Sequence, residues 1–144
     1  MEQCGPVAWI FDRIEKLGGA ISARELEELG CSRDILTRMV GNRTLVRARR
    51  GWYVPRGTSP RVIDAIRVGG RLACVSALVH HGFLPAEGEV LHVEVAANAS
   101  RLRRHPGRVV VHWVERRSPG DRRAVSVSAA LGQASRCRGS SLSA

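Results

Sequence analysis

The chain has 144 residues, 44% of them hydrophobic, with 23 basic against 13 acidic side chains and a formal charge of +10. That length holds one ordinary domain or two small ones, and the apolar content excludes a disordered chain. The charge favours an anionic partner, and the absence of any apolar run near the roughly 18 residues of a spanning helix, or of a signal-peptide pattern, gives the expectation of a cytoplasmic protein without a membrane.

Residues 7–17 place Val7, Ile10, Phe11, Ile14 and Leu17 at helical spacing, with Trp9 off the stripe and Gly18-Gly19 as terminator. Ser22 opens a second helix with Glu25 three residues on, a capping box in which each side chain satisfies an orphan N–H of the other. Gly30 stops that helix and Ser32 caps a third over 33–40. There Ile35, Leu36, Met39 and Val40 should share the buried face, leaving Arg33, Asp34, Thr37, Arg38 and Gly41 outward. Residues 45–49 and 52–55 read as strands of a hairpin turning at Arg50-Gly51.

Two short helices, a tight turn and a basic hairpin predict a winged helix-turn-helix over 1–57, with the third helix in a major groove. From Arg33 to Arg56 there are seven arginines and one acid, whereas residues 1–32 carry three bases and six acids. Within the first domain the positive charge is therefore concentrated on the helix and the wing. Arg33, Thr37 and Arg38 are the base-reading candidates, because Arg pairs bidentately with guanine. Ser32, Asn42 and Arg43 are assigned to phosphates, and Arg47, Arg49 and Arg50 to the adjacent backbone or minor groove. Trp52 and Tyr53 should brace the wing. Of the 23 bases 22 are Arg, a bias that a GC-rich coding sequence explains by itself.

Residues 56–59 form a short linker, and 58–138 read as a small α+β domain, which makes the whole chain α+β. Its expected elements are a helix from Pro60 to about Val68, a helix over 72–83, a half-buried strand over 89–95 with Leu91, Val93 and Val95 inward and His92 and Glu94 outward, a strand over 109–114, a short third strand at Val125 and Val127, and a terminal helix over 128–137. Residues 139–144 are expected to be a disordered tail. Between 101 and 123 there are eight arginines against Glu115 and Asp121. A solvated surface, a second phosphate patch and a docking site for an acidic partner all fit that run.

The stretches SRDILTRMV and LVRARRGWYV resemble the N-terminal winged-helix domain of AbiEi-type antitoxins of type IV toxin–antitoxin (abortive infection) systems. The likeness continues through AIRVGGRLACVSALVHHGF, LHVEV and VVVHWV, which resemble the middle region of longer proteins of that kind, and spans roughly residues 7–138. Its most specific piece is Arg-Arg-Gly-x-Tyr at Arg49 to Tyr53. The resemblance implies an autorepressing regulator that binds an inverted repeat of double-stranded DNA as two copies, and a cognate nucleotidyltransferase-type toxin as partner. In many longer relatives SVSAALGQASRCRG leads on into a domain like the very-short-patch-repair endonucleases. The present chain is expected to be a short regulator, a truncated relative or a frameshift product, and no nuclease activity is carried over. The alternative reading is the DNA-binding portion of a truncated endonuclease-like protein.

No catalytic set and no cofactor are expected. Asp64, Glu87, Glu89 and Glu94 could serve a metal-dependent nuclease, but the only Lys is Lys16, in the first helix. His92-x-Glu94 lacks the Pro-Cys-x-x-Cys of zinc deaminases. Ser76 sits in no nucleophile motif, and His80-His81 suits a helix end better than a metal. Cys4, Cys31, Cys74 and Cys137 are far apart and form no CxxC pair, which argues against a disulfide framework or a zinc finger and for buried thiols in a reducing compartment.

Overall fold

The computed structural model describes residues 4–85 and 90–137, with side chains from residue 8 onward. The chain is mixed α+β, with six helices and two three-stranded sheets among the described residues. It divides into two compact units, Met1–Ser59 and Pro60–Ala144.

In the first unit the elements follow as α1 (Cys4–Lys16), β1 (Ile21–Ser22), α2 (Ala23–Glu28), α3 (Arg33–Gly41), β2 (Leu45–Arg49) and β3 (Trp52–Pro55). The sheet is antiparallel in the order β1-β3-β2, with Ile21 opposite Tyr53 and Val46 opposite Val54. Ile10 and Ile14 of α1, Ile21, Leu26, Cys31, Met39 and Leu45 make the core, and Phe11, Leu17, Leu29, Leu36, Val40 and Tyr53 pack around it. Of the expected stripe of α1, Ile10 and Ile14 are buried and Phe11 and Leu17 pack against them, while Trp9 stays half exposed. Burial pushes the Cys31 thiol up, consistent with a side chain that serves packing.

The turn between α2 and α3 is built by local chemistry. The capping box at Ser22 and Glu25 is present on both sides, at 2.9 and 3.1 Å. At the other end Gly30 N–H donates to the Glu27 carbonyl and Cys31 N–H to the Leu26 carbonyl, a Schellman closure that needs the left-handed backbone of Gly30 (φ +93°). Ser32 then caps α3, its Oγ accepting from Ile35 N–H at 3.2 Å.

The second unit runs α4 (Pro60–Val68), β4 (Arg71–Leu72), α5 (Cys74–His80), β5 (Leu91–Ala96), β6 (Val109–Val114) and α6 (Val127–Arg136). Its sheet has the order β4-β5-β6, with β4 antiparallel and β6 parallel to β5. A parallel pair needs a crossover of a dozen or more residues, and here the irregular segment 97–108 supplies it without a helix. Its Arg103 N–H is tied to the Val68 carbonyl and its His105 ring lies 3.3 Å from the Asp64 carboxylate.

Four expectations for this unit are corrected. The helix expected over 72–83 begins only at Cys74, because Arg71 and Leu72 pair with β5 first. The strand β5 is not half-buried: His92 and Glu94 are as buried as Leu91, Val93 and Val95, since both faces of the central strand are covered. The expected third strand reduces to single bridges at Ala124 and Val125, and Val127 already belongs to α6, whose N-cap is Ser126. The terminal helix accordingly starts at Val127 and ends at Arg136. Glu87, Glu89 and the expected tail lie outside the described residues.

Candidate nucleic-acid interface and a half-buried Cys–His cluster

The outward face of α3 follows from its anchoring. Met39 is buried and Leu36 and Val40 pack on the core, which turns Arg33, Asp34, Thr37, Arg38 and Gly41 to solvent. Ile35 departs from the expected face: it is 42% exposed and sits beside the arginines rather than beneath them. The hydroxyl of Thr37 donates to the Arg33 carbonyl at 2.9 Å, so its oxygen keeps lone pairs for an incoming donor. Asn42 Oδ1 accepts from the Thr44 N–H and hydroxyl at 3.0 and 2.6 Å, which leaves its NH₂ group as the donor.

Arg43 occupies the position that ends α3. Its N–H donates to the Val40 carbonyl and Thr44 N–H to the Met39 carbonyl, a second Schellman closure. The left-handed residue here is Arg43 itself (φ +66°), where glycine is the usual occupant. The hairpin then carries a bulge between Arg47 and Arg49: Arg47 faces Tyr53 and Arg49 faces Trp52, with Ala48 inserted between them and buried. Arg47 and Arg50 are exposed and Arg49 is half-buried. Tyr53 packs on the core as expected of a brace. All nine sequence-assigned residues thus fall on one helix with its N-cap, the turn after it and one hairpin of the first unit. Among the described residues Arg33, Arg38, Arg43, Arg47 and Arg50 enter no intrachain ion pair.

The candidate acids and histidines of the second unit are committed elsewhere. Glu94 is enclosed with Arg71 in a buried ion pair at 2.7 Å, and Ser118 and Gln133 also donate to its carboxylate. Burial raises the Glu94 carboxyl, but the hydrogen bonds from Ser118 and Arg71, the Arg71 charge and the Gln133 amide together hold it below the ordinary value. Arg71 reaches the Ser118 and Asp121 carbonyls as well. Asp64 pairs with His105 and Arg67, Ser76 Oγ accepts the His92 N–H at 2.9 Å, and the His81 ring meets the Val125 carbonyl at 2.8 Å.

One constellation went unread in the sequence. Cys74, His92, His112 and Cys137 place one sulfur or nitrogen each within 4.8 Å of one another. His92 Nδ1 lies 3.2 Å from His112 Nε2, and Cys137 Sγ lies 3.8 and 3.7 Å from those two atoms. Burial, and then the neighbouring charges of His112 and Arg61, lower His92 to about 4, so its ring is neutral at pH 7. The absence of a CxxC pair therefore did not keep the thiols apart: folding gathers two of them with two imidazoles. The only local trace was a histidine in each of the two strands, His92 beside the charged Glu94 in β5 and His112 in the otherwise apolar β6.

No family model and no curated protein matches the chain.

Proposed function

We propose that the chain is a sequence-specific DNA-binding regulator of the winged-helix class. The observation that carries this reading is the solvent face of α3: Arg33, Thr37 and Arg38 stand exposed on a helix anchored by Met39, directly before a bulged hairpin bearing Arg47, Arg49 and Arg50. The element order α1-β1-α2-α3-β2-β3 with an antiparallel sheet supports it, since the hairpin then follows the recognition helix as a wing. Arg33 and Arg38 read guanine through bidentate bonds, Thr37 accepts from adenine or cytosine amino groups, and Ile35 adds an apolar contact for a thymine methyl. Ser32, Asn42 and Arg43 hold phosphates at the two ends of α3, and the wing arginines follow the backbone or minor groove.

The resemblance to AbiEi-type antitoxins extends the proposal to an autorepressor that binds an inverted repeat in two copies and opposes a nucleotidyltransferase-type toxin. The test is selection of double-stranded DNA from a random pool by the full chain, followed by anisotropy titration of the winner and a scrambled control. The expected result is a palindromic consensus bound about 10³-fold or more tightly than the control at physiological salt. Equal affinity for both sequences would overturn specific recognition. Retention of a consensus without two-fold symmetry would remove the two-copy reading alone.

A further inference from the structure

The gathered thiols and imidazoles have the dimensions of a metal site. A tetrahedral zinc ion with Zn–S near 2.3 Å and Zn–N near 2.05 Å sets edges of about 3.3 Å between two nitrogens and about 3.6 Å between sulfur and nitrogen. The corresponding separations here are 3.2 Å for His92 Nδ1 to His112 Nε2, and 3.7 and 3.8 Å from the Cys137 sulfur to the two rings. Cys74 brings the fourth donor to within 4.8 Å of the other three. We propose that Cys74, His92, His112 and Cys137 form a structural zinc(II) site of the Cys₂His₂ type.

The donor chemistry selects the metal class. Two thiolates and two imidazoles without a carboxylate suit zinc and exclude magnesium and calcium, which take oxygen ligands. Four protein donors close the coordination sphere, and this is the mark of a structural rather than a catalytic zinc.

The fold holds two of the donors, Cys74 and His92, from outside the cluster. Cys74 is left-handed (φ +55°), a conformation unfavourable for a non-glycine residue that persists only where the surroundings impose it. Gln133 of α6 accepts the Cys74 N–H at 2.9 Å while its amide donates to Glu94. Ser76 pins the His92 backbone. A cavity of about 340 Å³ borders the cluster on the side of His112 and Cys137.

The ligands arrive from the start of α5, from β5, from β6 and from the residue after α6. Zinc would therefore tie together the two parallel strands, whose crossover has no helix, and both helices packed against each other beside them. Binding requires both thiols to lose their protons, and the resulting two thiolates balance the dication.

The experiment uses the full chain, purified without a polyhistidine tag under reducing conditions. Elemental analysis should find about one zinc per chain, as a single closed site demands. Cobalt(II) added to the chelator-stripped protein should give the visible bands of tetrahedral cobalt and a near-ultraviolet thiolate charge-transfer band. The double variant Cys74→Ser/Cys137→Ser, which keeps Cys4 and Cys31, should lose both signals, whereas His112→Cys, a closed Cys₃His set, should retain zinc. Because the double variant can fail to fold, the wild-type melting temperature is also measured after stripping and after adding back one equivalent of zinc, and a rise on addition is expected. Substoichiometric metal with an octahedral cobalt spectrum in the wild type would overturn the proposal. So would a charge-transfer band that survives in the double variant, or a Cys74–Cys137 disulfide under these reducing conditions.

Discussion

At the scale of single residues the DNA-reading face makes contrasting demands on its arginines. Arg38, on the exposed side of α3, is assigned to a base edge, and Arg49, on the hairpin, to the backbone. Arg38→Ala should therefore cost about 1–3 kcal/mol on the selected sequence and relax preference at one base pair. Arg49→Ala should weaken selected and scrambled DNA alike and flatten the dependence of log K on log salt by about one unit. Equal losses on both DNAs for both variants would remove the division of roles. Arg43 tests a different balance. Its left-handed backbone at the end of α3 is a position glycine fills without steric cost, whereas an L side chain pays roughly 1–2 kcal/mol. Glycine returns part of that through the entropy of the unfolded chain. Arg43→Gly should thus raise stability to urea by about 0.5–1 kcal/mol while lowering DNA affinity. A chain that binds DNA unchanged would show that Arg43 has no phosphate to hold.

At the scale of elements, what could be read in the sequence was what short-range chemistry decides. The Ser22–Glu25 capping box, the Gly30 stop, the Ser32 cap and the hairpin turn at Arg50-Gly51 each depend on residues within five positions of one another, and the structure places them where local rules put them. The strands β1 and β4 were invisible because two residues carry no periodicity. The burial of His92 and Glu94 escapes local pattern for a related reason. Alternation along 91–95 looks like one wet face, and only the pairing of β4 and β6 on either side, with helices packed against the sheet, reveals that both faces are dry. Glu94 consequently lives as one half of an ion pair whose side chains are 5% and 3% exposed. Removing one partner of such a pair leaves an uncompensated buried charge, so Glu94→Gln should cost about 3–5 kcal/mol in chemical denaturation. Replacing Arg71 and Glu94 together by Met and Leu removes both charges but leaves the Ser118 hydroxyl and the Gln133 amide without their acceptor, so the double variant should also be destabilised. A cost for Glu94→Gln below about 1 kcal/mol would mean that the pair is solvated in practice. The Cys–His cluster was unreadable on the same grounds, since its ligands are far apart in the chain and meet only through parallel pairing and the return of α6.

At the scale of the molecule the formal charge of +10 makes acid the condition that strains the fold. Each proton taken up adds to an existing excess of positive charge and to its self-repulsion. Asp121 is a group whose protonation can be followed. Burial raises its carboxyl, but the Arg123 and Ala124 N–H groups and the Arg123 guanidinium outweigh that and lower it below the ordinary Asp value. A carboxyl depressed by folding stabilises the native state fully above its unfolded pKa, and that contribution disappears as pH falls through the lower native value. Asp121 should therefore steepen the loss of stability below the ordinary carboxylate range and contribute a constant amount near neutrality. Asp121→Asn is the informative change, because the amide oxygen can still accept the two backbone N–H bonds of the turn while the charge is gone. Melting temperatures should be lower for the variant near pH 7 and converge on wild type in acid, with a smaller gap in high salt because the Asp121 side chain is 38% exposed and its attraction to Arg123 is screened. A gap that stayed constant down through the acid limb would mean that the carboxylate acts there only as a hydrogen-bond acceptor, and the acid sensitivity of the chain would then rest on its other carboxylates and on self-repulsion.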